Sequence, residues 1–323
     1  MLEVSHLTKQ YGSHCAVDDL SFTVEDGLVY GFLGPNGAGK STTMNIITGC
    51  LAATSGIVTV DGYDIFENAM DAKRRIGYLP EIPPVYPDMT PMEYLDFITD
   101  AKGVARENKK EQIERAIAVT GIADVKDRLI KNLSKGYRQR VGIAQALLGD
   151  AKLIILDEPT VGLDPLQIIE IRDLIRALGK THTVILSSHI LSEVQAVCDR
   201  ILILNQGRLI ACDTPENLES HFTGGAEYRL TVKAAAEDAM QTLGLLSHVR
   251  GVRLENEAEG RCELAVEVDP EAENMDEALS YALSDAKMPV LRMERHEASL
   301  EEVFIKLTAE SDPLPTEGGE QSE

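Results

Sequence analysis

The sequence predicts an α/β fold: a mostly parallel sheet with helices on both faces and an antiparallel β edge, followed by a small C-terminal α+β domain. Short apolar runs, typical of buried strands, alternate with helical patterns over roughly the first 220 residues. One run leads through a glycine-rich loop directly into a helix, which is the setting of a phosphate-binding loop. Beyond His221 the pattern changes to short strands and amphipathic helices in an acidic context.

The first buried strand is predicted over 27–34 (GLVYGFLG), and the helix after the loop over 40–49. Residues 56–65 alternate between apolar and polar side chains like an edge strand, with a turn at Asp61–Gly62. A further short strand, 76–80 (IGYLP), is closed by its proline. These segments set the glycine-rich loop between a buried strand and a helix.

A helical subdomain is predicted over about 86–149. Its first helix begins after Thr90, and Glu93 stands three residues later, as in a capping box. A second amphipathic helix covers 107–121, and a third begins after Ser134, which suits the N-cap position. This run of helices interrupts the strand pattern and therefore reads as an insertion into the sheet domain.

Strand patterns return after the insertion, separated by helices at about 165–178 and 190–198. The returning strands are 152–157, 183–188 and the segment 200–213. We therefore assign residues 1–220 to the main domain and 221–308 to an accessory α+β domain. Residues 309–323 have no apolar content to bury and are expected to form a disordered acidic tail.

The amino-acid composition argues against several classes of protein. The formal net charge is −22, and residues 221–323 carry 23 acidic against 9 basic side chains, so no basic face for nucleic acid is expected. The five cysteines are scattered without a C-x-x-C pair, which favours a reducing cytoplasm over a disulfide framework or zinc site. No apolar run is long enough for a membrane helix, and no secretory signal is expected at the N-terminus.

The glycine-rich loop, Gly34–Ser41, fits the pattern G-x-x-x-x-G-K-[ST]. Glycines let backbone N–H groups approach a phosphate, and the following helix adds its positive N-terminal end. Lys40 is expected to reach the β- and γ-phosphates, and the Ser41 hydroxyl to hold Mg²⁺. The predicted ATP contacts in this loop are Gly34, Pro35, Asn36, Gly37, Ala38, Gly39, Lys40, Ser41 and Thr42.

A second acidic motif follows an apolar strand in LIILDEP, residues 153–159. The carboxyl edge of an open α/β sheet is where ligands bind, so the strand delivers Asp157 toward the phosphates. Asp157 suits the Mg²⁺ shell, and Glu158 is a candidate general base for an attacking water. The pattern alone does not say what the nucleotide energy drives.

Together with these motifs, three further segments resemble the nucleotide-binding subunit of an ABC transporter, a P-loop NTPase of ABC type. LSKGYRQR (133–140) is similar to the family signature, VGLDP (161–165) to its D-loop, and SSHILSEV (187–194) to its switch-histidine loop. The resemblance covers roughly residues 1–220. It implies that His189 contacts the γ-phosphate and helps Glu158 hold the attacking water. It also implies that Tyr11 stacks on adenine and that Val17 is a further ATP-binding residue.

The resemblance also implies a site shared between two chains. Ser134, Lys135, Gly136 and Asp164 would contact ATP held by the opposite subunit. The exposed N-terminus of a helix suits an anion supplied in this way. A homodimer is the simplest assembly, and a heterodimer remains the alternative.

Three positions depart from the commonest family pattern. Glu81 stands where the family has a Gln that touches Mg²⁺, so a carboxylate ligand is expected there. Lys135 replaces a signature glycine and Tyr137 the signature glutamine. These forms, and the C-terminal ASLEEVFIKLT (298–308), resemble the ABC-2-type branch, whose members are often exporters. For the C-terminal segment, an ordinary amphipathic helix that packs on its own domain is an equally good interpretation.

The favoured hypothesis is an Mg²⁺-dependent ATPase motor that closes and reopens a dimer and drives a separate membrane permease. Such a chain would be cytoplasmic, held at the inner face of the cell membrane through that permease. Two alternatives remain open: an ATP-driven machine acting on nucleic acid or ribosomes, and a nucleotide-binding regulator without turnover. The acidic composition and the single phosphate loop disfavour the first alternative. The cargo cannot be named from this chain.

Overall fold

The computed structural model describes residues 2–149, 151–222, 227–258, 260–269, 272, 274–296, 301–302 and 304–305. Its contacts divide the chain into two compact units, one ending at Pro215 and the other beginning at Glu216. The sequence put this boundary slightly later, at residue 220. The predicted acidic tail lies outside the described residues, as does most of the 298–308 segment.

Ten strands lie in the described part of the first unit. They are β1 (Leu2–Tyr11), β2 (His14–Val24), β3 (Val29–Leu33), β4 (Ser55–Val60), β5 (Tyr63–Asp64), β6 (Ile76–Leu79), β7 (Leu153–Leu156), β8 (Thr183–Ser188), β9 (Arg200–Asn205) and β10 (Arg208–Asp213). The helices of this unit are α1 (Lys40–Ile47), α2 (Ala69–Arg74), α3 (Pro91–Ala101), α4 (Arg106–Thr120), α5 (Lys135–Ala146), α6 (Pro165–Gly179) and α7 (Leu191–Val197). A further helix, α8 (Pro215–Phe222), crosses the boundary between the units.

The central sheet has six strands in the order β10-β9-β3-β8-β7-β6. All neighbouring pairs are parallel except the hairpin of β9 and β10. Every residue of β3, β7 and β8 is buried, which explains why these strands read as continuous apolar runs rather than alternating ones. The parallel arrangement confirms the predicted fold class and brings the carboxyl ends of β3, β7 and β8 to one edge.

A second, antiparallel sheet has the order β2-β1-β4-β5. The sequence predicted only its 56–65 portion. The two long strands β1 and β2 pair with several register shifts, and His6 and Asp19 have positive φ angles of 51°. Such bulges break the two-residue alternation that marks a strand in sequence.

Helices α3, α4 and α5 lie in the segment 86–149 and share an apolar cluster that includes Leu95, Ile117 and Val141. The capping box of α3 is complete, since Thr90 Oγ1 accepts from the Glu93 amide and the Glu93 carboxylate accepts from the Thr90 amide. Gly121 ends α4 in the left-handed conformation, at φ 64°. The short helix α2 was not predicted from the sequence.

In its described residues from 227 to 296, the second unit forms an antiparallel sheet with helices α9 and α10. Its elements are β11 (Glu227–Val232), α9 (Ala236–Gly244), β12 (Val249–Ala258), β13 (Arg261–Val268), α10 (Met275–Asp285) and β14 (Val290–His296), with the strands in the order β12-β13-β11-β14. Alternate residues of β11 and β13 join Leu243 and Leu279 in a separate apolar cluster. This unit therefore has a core of its own.

Candidate nucleotide-binding site

The loop from Gly34 to Ser41 connects the end of β3 to the start of α1. Gly39 lies at φ 96°, and a β-carbon there would stand 2.5 Å from the Ala16 carbonyl oxygen. A β-carbon on Gly34 would stand 2.4 Å from the Leu204 carbonyl oxygen. Both positions therefore require glycine, because the neighbouring groups are backbone and cannot swing away.

Lys40 is the first residue of α1 and only 6% exposed. Its Nζ donates to the carbonyl oxygens of Gly34 at 2.7 Å and Pro35 at 3.2 Å, and lies 4.0 Å from Glu158 Oε1. Burial lowers the pKa of Lys40, while the charges of Glu158 and Asp157 oppose that shift. The ammonium group is thus held inside the loop, close to two carboxylates.

Asp157 follows β7 and faces the loop. Its Oδ1 accepts from Ser41 Oγ at 3.2 Å and from Ser187 Oγ at 2.6 Å. Ser187 lies at the end of the neighbouring strand β8 and also accepts a hydrogen bond from the Glu158 amide at 2.8 Å. Because β3, β7 and β8 are adjacent and parallel, residues far apart in sequence meet at this edge of the sheet.

Glu158 and His189 form the second polar pair. Nδ1 of His189 lies 3.0 Å from Oε2 and 3.2 Å from Oε1 of the Glu158 carboxylate. Glu158 has a positive φ of 48°, which is uncommon for a residue with a β-carbon and costs about 1 kcal/mol. The carboxylate is largely buried while the imidazole is partly exposed, so the pair sits at the boundary with solvent.

These groups open into one cleft with a volume of about 400 Å³. It is lined by Tyr11, His14, Ala16, Asn36, Gly37, Ala38, Gly39, Lys40, Ser41, Thr42, Glu81, Glu158, Val161 and His189. Glu81 follows strand β6, while Tyr11 is half exposed, with Lys9 Nζ 5.1 Å from the centre of its ring. Most of the residues predicted for ATP, Mg²⁺ and hydrolysis therefore line the cleft or contact residues that do.

The other predicted residues lie elsewhere. Val17 is fully buried in the apolar core and does not line the cleft. Ser134 caps α5 by accepting from the Tyr137 amide at 3.3 Å, and Asp164 caps α6 by accepting from the Gln167 amide at 3.0 Å. Neither the two caps nor Lys135 and Gly136 line this chain's own cleft.

The start of α5 and the segment before α6 nevertheless meet. A β-carbon on Gly162 would clash with Nζ of Lys135, so the lysine side chain crosses directly over this glycine. A β-carbon on Gly136 would stand 2.8 Å from the Gln167 side chain. The signature-like segment and the D-loop-like segment are therefore neighbours within one chain.

Several contacts at the site were not predicted. His14 and Ala16 line the cleft because the hairpin of β1 and β2 pairs His14 with Tyr11. Gly12, at φ 60°, marks the turn and is the signal that could have revealed this pairing. Ser187 could have been inferred from its position two residues before His189, at the end of a buried strand.

The chain is similar to known proteins over its whole length. A family profile described as ABC transporter matches residues 17–161. The linearmycin resistance ATP-binding protein LnrL of Bacillus subtilis (strain 168) is 34% identical over 95% of this chain and 98% of its own length. The daunorubicin/doxorubicin resistance ATP-binding protein DrrA of Streptomyces peucetius is 34% identical over 100% of this chain and 97% of its own.

A solved structure shares the fold of the first unit. It is described as an ATP-binding subunit of an ABC transporter, with a TM-score of 0.62 and 30% identity. The match covers 69% of this chain and 93% of that structure.

Proposed function

This chain belongs to the ABC transporter family of ATP-binding subunits, and from that premise we propose a Mg²⁺-dependent ATPase cycle built on the cleft around Gly34–Ser41. The chain is an ATP-binding motor for a separate permease. The observation that carries the cycle is the convergence of Lys40, the Ser41–Asp157 pair and the Glu158–His189 pair on one cleft.

Mg²⁺ would be held by oxygen atoms. Ser41 Oγ and Asp157 Oδ1 are 3.2 Å apart, and the Glu81 carboxylate lines the same cleft. Within the described ranges no cluster of three or more His, Cys, Asp or Glu side chains could cage a metal ion by itself. That agrees with Mg²⁺, which is usually held by one or two carboxylates together with substrate phosphates and water. When bound, the ion would neutralise charge on the phosphates.

Hydrolysis follows from the polar pairs. Glu158 accepts a proton from the attacking water as the water oxygen forms a bond to the γ-phosphorus. The bond from the γ-phosphorus to the β–γ bridging oxygen breaks, its electron pair stays on that oxygen, and ADP and phosphate are the products. His189 holds the carboxylate of Glu158 in position and contacts the γ-phosphate. Lys40 exchanges its hydrogen bonds with the Gly34 and Pro35 carbonyls for bonds to phosphate oxygens, and its positive charge stabilises the negative charge that develops there as ADP leaves.

Closure of a dimer gives a role to the predicted ATP-binding residues that lie outside this chain's own cleft. The N-terminus of the 12-residue helix α5, capped by Ser134, offers N–H groups and a hydroxyl for an anion. Lys135 adds a cation beside Gly162. We assign these groups and Asp164 to ATP held by a second copy of the chain, with pairing to a related chain as the alternative.

The permease contact falls on an apolar surface beside Glu81. Ile82, Tyr86 and Phe97 are 81%, 50% and 42% exposed, and the rings of Tyr86 and Phe97 are 5.5 Å apart. Such exposed apolar groups are typical of a protein interface. No helix in the described part of the chain is long and apolar enough to cross a membrane. From the family relationship we propose that the subunit acts at the inner membrane face, against an ABC-2-type permease.

The direction of transport is proposed from the relatives. Two of them are named for resistance to linearmycin and to daunorubicin and doxorubicin. Resistance of this kind is achieved when a compound is removed from the cell, so we propose export. The cargo itself would be recognised by the permease.

The test is phosphate release by the purified full chain with ATP, in Mg²⁺ and in excess EDTA. We expect turnover only with Mg²⁺, and a loss of at least about 100-fold in Lys40→Met, which removes a charge that stabilises the transition state. Lys110→Met is the matched control, because the Lys110 side chain is exposed on α4, and this variant should behave like the wild type. ATP binding without Mg²⁺-dependent turnover, also with a permease present, would instead favour a regulator.

A further inference from the structure

Two consecutive serines at the end of β8 point to opposite sides of the sheet, as strand geometry requires. Ser187 faces the cleft side, where its hydroxyl contacts Asp157 and the Glu158 amide. Ser188 faces the other side and donates to Oε2 of Glu193 at 3.1 Å. Both serines are essentially buried, at 0% and 1% exposure. The strand therefore carries a second polar contact behind the cleft.

Glu193 joins two segments that are distant in sequence. It lies in the first turn of α7, is 5% exposed, and does not line the cleft. The same oxygen, Oε2, also accepts from Thr160 Oγ1 at 2.6 Å, and Thr160 is likewise buried. One carboxylate oxygen thus binds both the segment after Glu158 and the end of the strand before His189.

Both members of the Glu158–His189 pair are restrained through this oxygen. Ser188 Oγ accepts from the Ile190 amide at 3.0 Å, so the backbone on either side of His189 is tied to Ser188. Thr160 stands two residues after Glu158, whose positive φ must be maintained by its surroundings. Releasing Thr160 and Ser188 would free the backbone at both ends of the 3.0 Å contact.

We propose that Glu193 is a positioning residue: by accepting from Thr160 and Ser188 together, it sets the distance between the Glu158 carboxylate and the His189 imidazole. The role deepens the proposed hydrolysis and rests on it, since Glu193 lies outside the cleft and acts through Thr160 and Ser188. It also links the D-loop-like segment, which begins at Val161, to the histidine loop of the same chain. A movement of either segment would therefore be transmitted to the other through the Glu193 side chain.

The geometry indicates that Glu193 acts as a hydrogen-bond acceptor and that its negative charge is not required. Both bonds end on a single oxygen, and an amide carbonyl oxygen has two lone pairs and can accept both. Glu193→Gln therefore preserves the arrangement, whereas Glu193→Ala removes it. Thr160→Val removes one donor with little change in volume, and Ser188→Ala removes one donor together with the acceptor of the Ile190 amide. We expect Thr160→Val, the milder change, to keep the fold.

The kinetic test uses the full chain with Mg²⁺ and ATP. We expect Glu193→Ala to lower kcat by at least about 10-fold with KM for ATP changed less than about 2-fold, since misplacing a reacting group by about 1 Å can cost about 100-fold. Thr160→Val and Ser188→Ala should show smaller losses of the same kind, and Glu193→Gln should stay near the wild type. Thr120→Val, which removes a buried hydroxyl from α4, is the control for a lost internal hydrogen bond.

A second readout does not depend on turnover. The ring resonances of His189, assigned with His189→Ala, should move in Glu193→Ala and Thr160→Val but not in Glu193→Gln or Thr120→Val. Unmoved resonances with an unchanged kcat would overturn the inference while leaving the proposed ATPase intact. Equal losses in Glu193→Gln and Glu193→Ala would also overturn it. A wild type without turnover would reject the proposed function, and the resonances would still test the positioning of His189.

Discussion

Glu158 shows how one residue can be specified by several independent contacts. Its amide donates to Ser187, its carboxylate lies beside His189 and Lys40, and its backbone is in a region that costs about 1 kcal/mol. Strained backbone of this kind persists where the surroundings hold it, and it is concentrated at functional sites. The strain supports the assignment of Glu158 as the general base.

Glu158→Gln tests that assignment. The amide oxygen can still face His189 and the backbone can stay in place, so ATP binding should survive while proton acceptance is lost. We expect kcat to fall by at least about 100-fold, the scale of general-base catalysis, and ATP to hold the variant as a stable dimer. Sedimentation with and without ATP would measure the dimer.

The exposed Glu111→Gln variant on α4 serves as the control and should turn over like the wild type. If Glu158→Gln hydrolysed ATP at the wild-type rate, Glu158 would not be the base.

Between elements, Lys102 joins the end of α3 to the end of α5. Its Nζ donates to the carbonyl oxygens of Gln145 at 3.1 Å, in the last turn of α5, and of Leu148 at 2.7 Å, just beyond the end of the helix. Burial lowers the pKa of Lys102 to about 8. The attraction between the Lys102 ammonium group and the carbonyl oxygens at this helix end is therefore partly offset by the cost of removing the charge from water.

This lowered pKa predicts a pH dependence of stability. Between about pH 8 and about pH 10 the unfolded chain keeps the Lys102 proton while the folded chain releases it, so stability rises with pH in that window. Relative to Lys102→Met, which does not titrate, the wild-type free energy of unfolding should rise by about 2 kcal/mol between pH 7.5 and 9.5.

Urea unfolding of both chains at several pH values would measure this difference, and other lysines cancel because both chains share them. A difference that stays constant with pH would mean that the carbonyl oxygens hold the ammonium charged throughout.

At the level of the whole chain, the two units have separate apolar cores, and the residues that line the cleft all precede Ile190. Much of the negative charge lies in the C-terminal part of the chain. A role of that part in regulation or in dimer contacts remains a hypothesis.

Truncation after Pro215 removes the second unit with its own core. We expect the shortened chain to unfold cooperatively and to bind ATP within a few-fold of the full chain, because its sheets and cleft are complete. If the second unit contributes to the dimer, ATP-dependent dimerisation of Glu158→Gln should weaken in the shortened chain. Unchanged dimerisation, ATPase rate and transport would reject a role of the second unit in all three.

Short-range patterns determined much of the architecture. The strand–loop–helix order of β3 and α1, the capping box of α3 and the end of α4 at Gly121 are marked by residue types within short stretches of sequence, so the sequence predicted them. Buried parallel strands such as β8 were equally readable, because full burial demands a continuous apolar run. These features also led to the family before any tertiary contact was known.

Other features depend on which segments meet. The bulged pairing of β1 and β2 turned Val17 into the core and brought His14 and Ala16 to the cleft, and no local pattern marks such register shifts. The bond from Thr160 to Glu193 spans 33 residues of the chain, whereas the bond from Ser188 to the same oxygen spans only five. A glutamate in the first turn of a helix looks like a solvent-exposed residue in sequence. The packing of α7 against the sheet buries Glu193. A buried carboxylate needs hydrogen-bond donors, and the hydroxyl groups of Thr160 and Ser188 supply them.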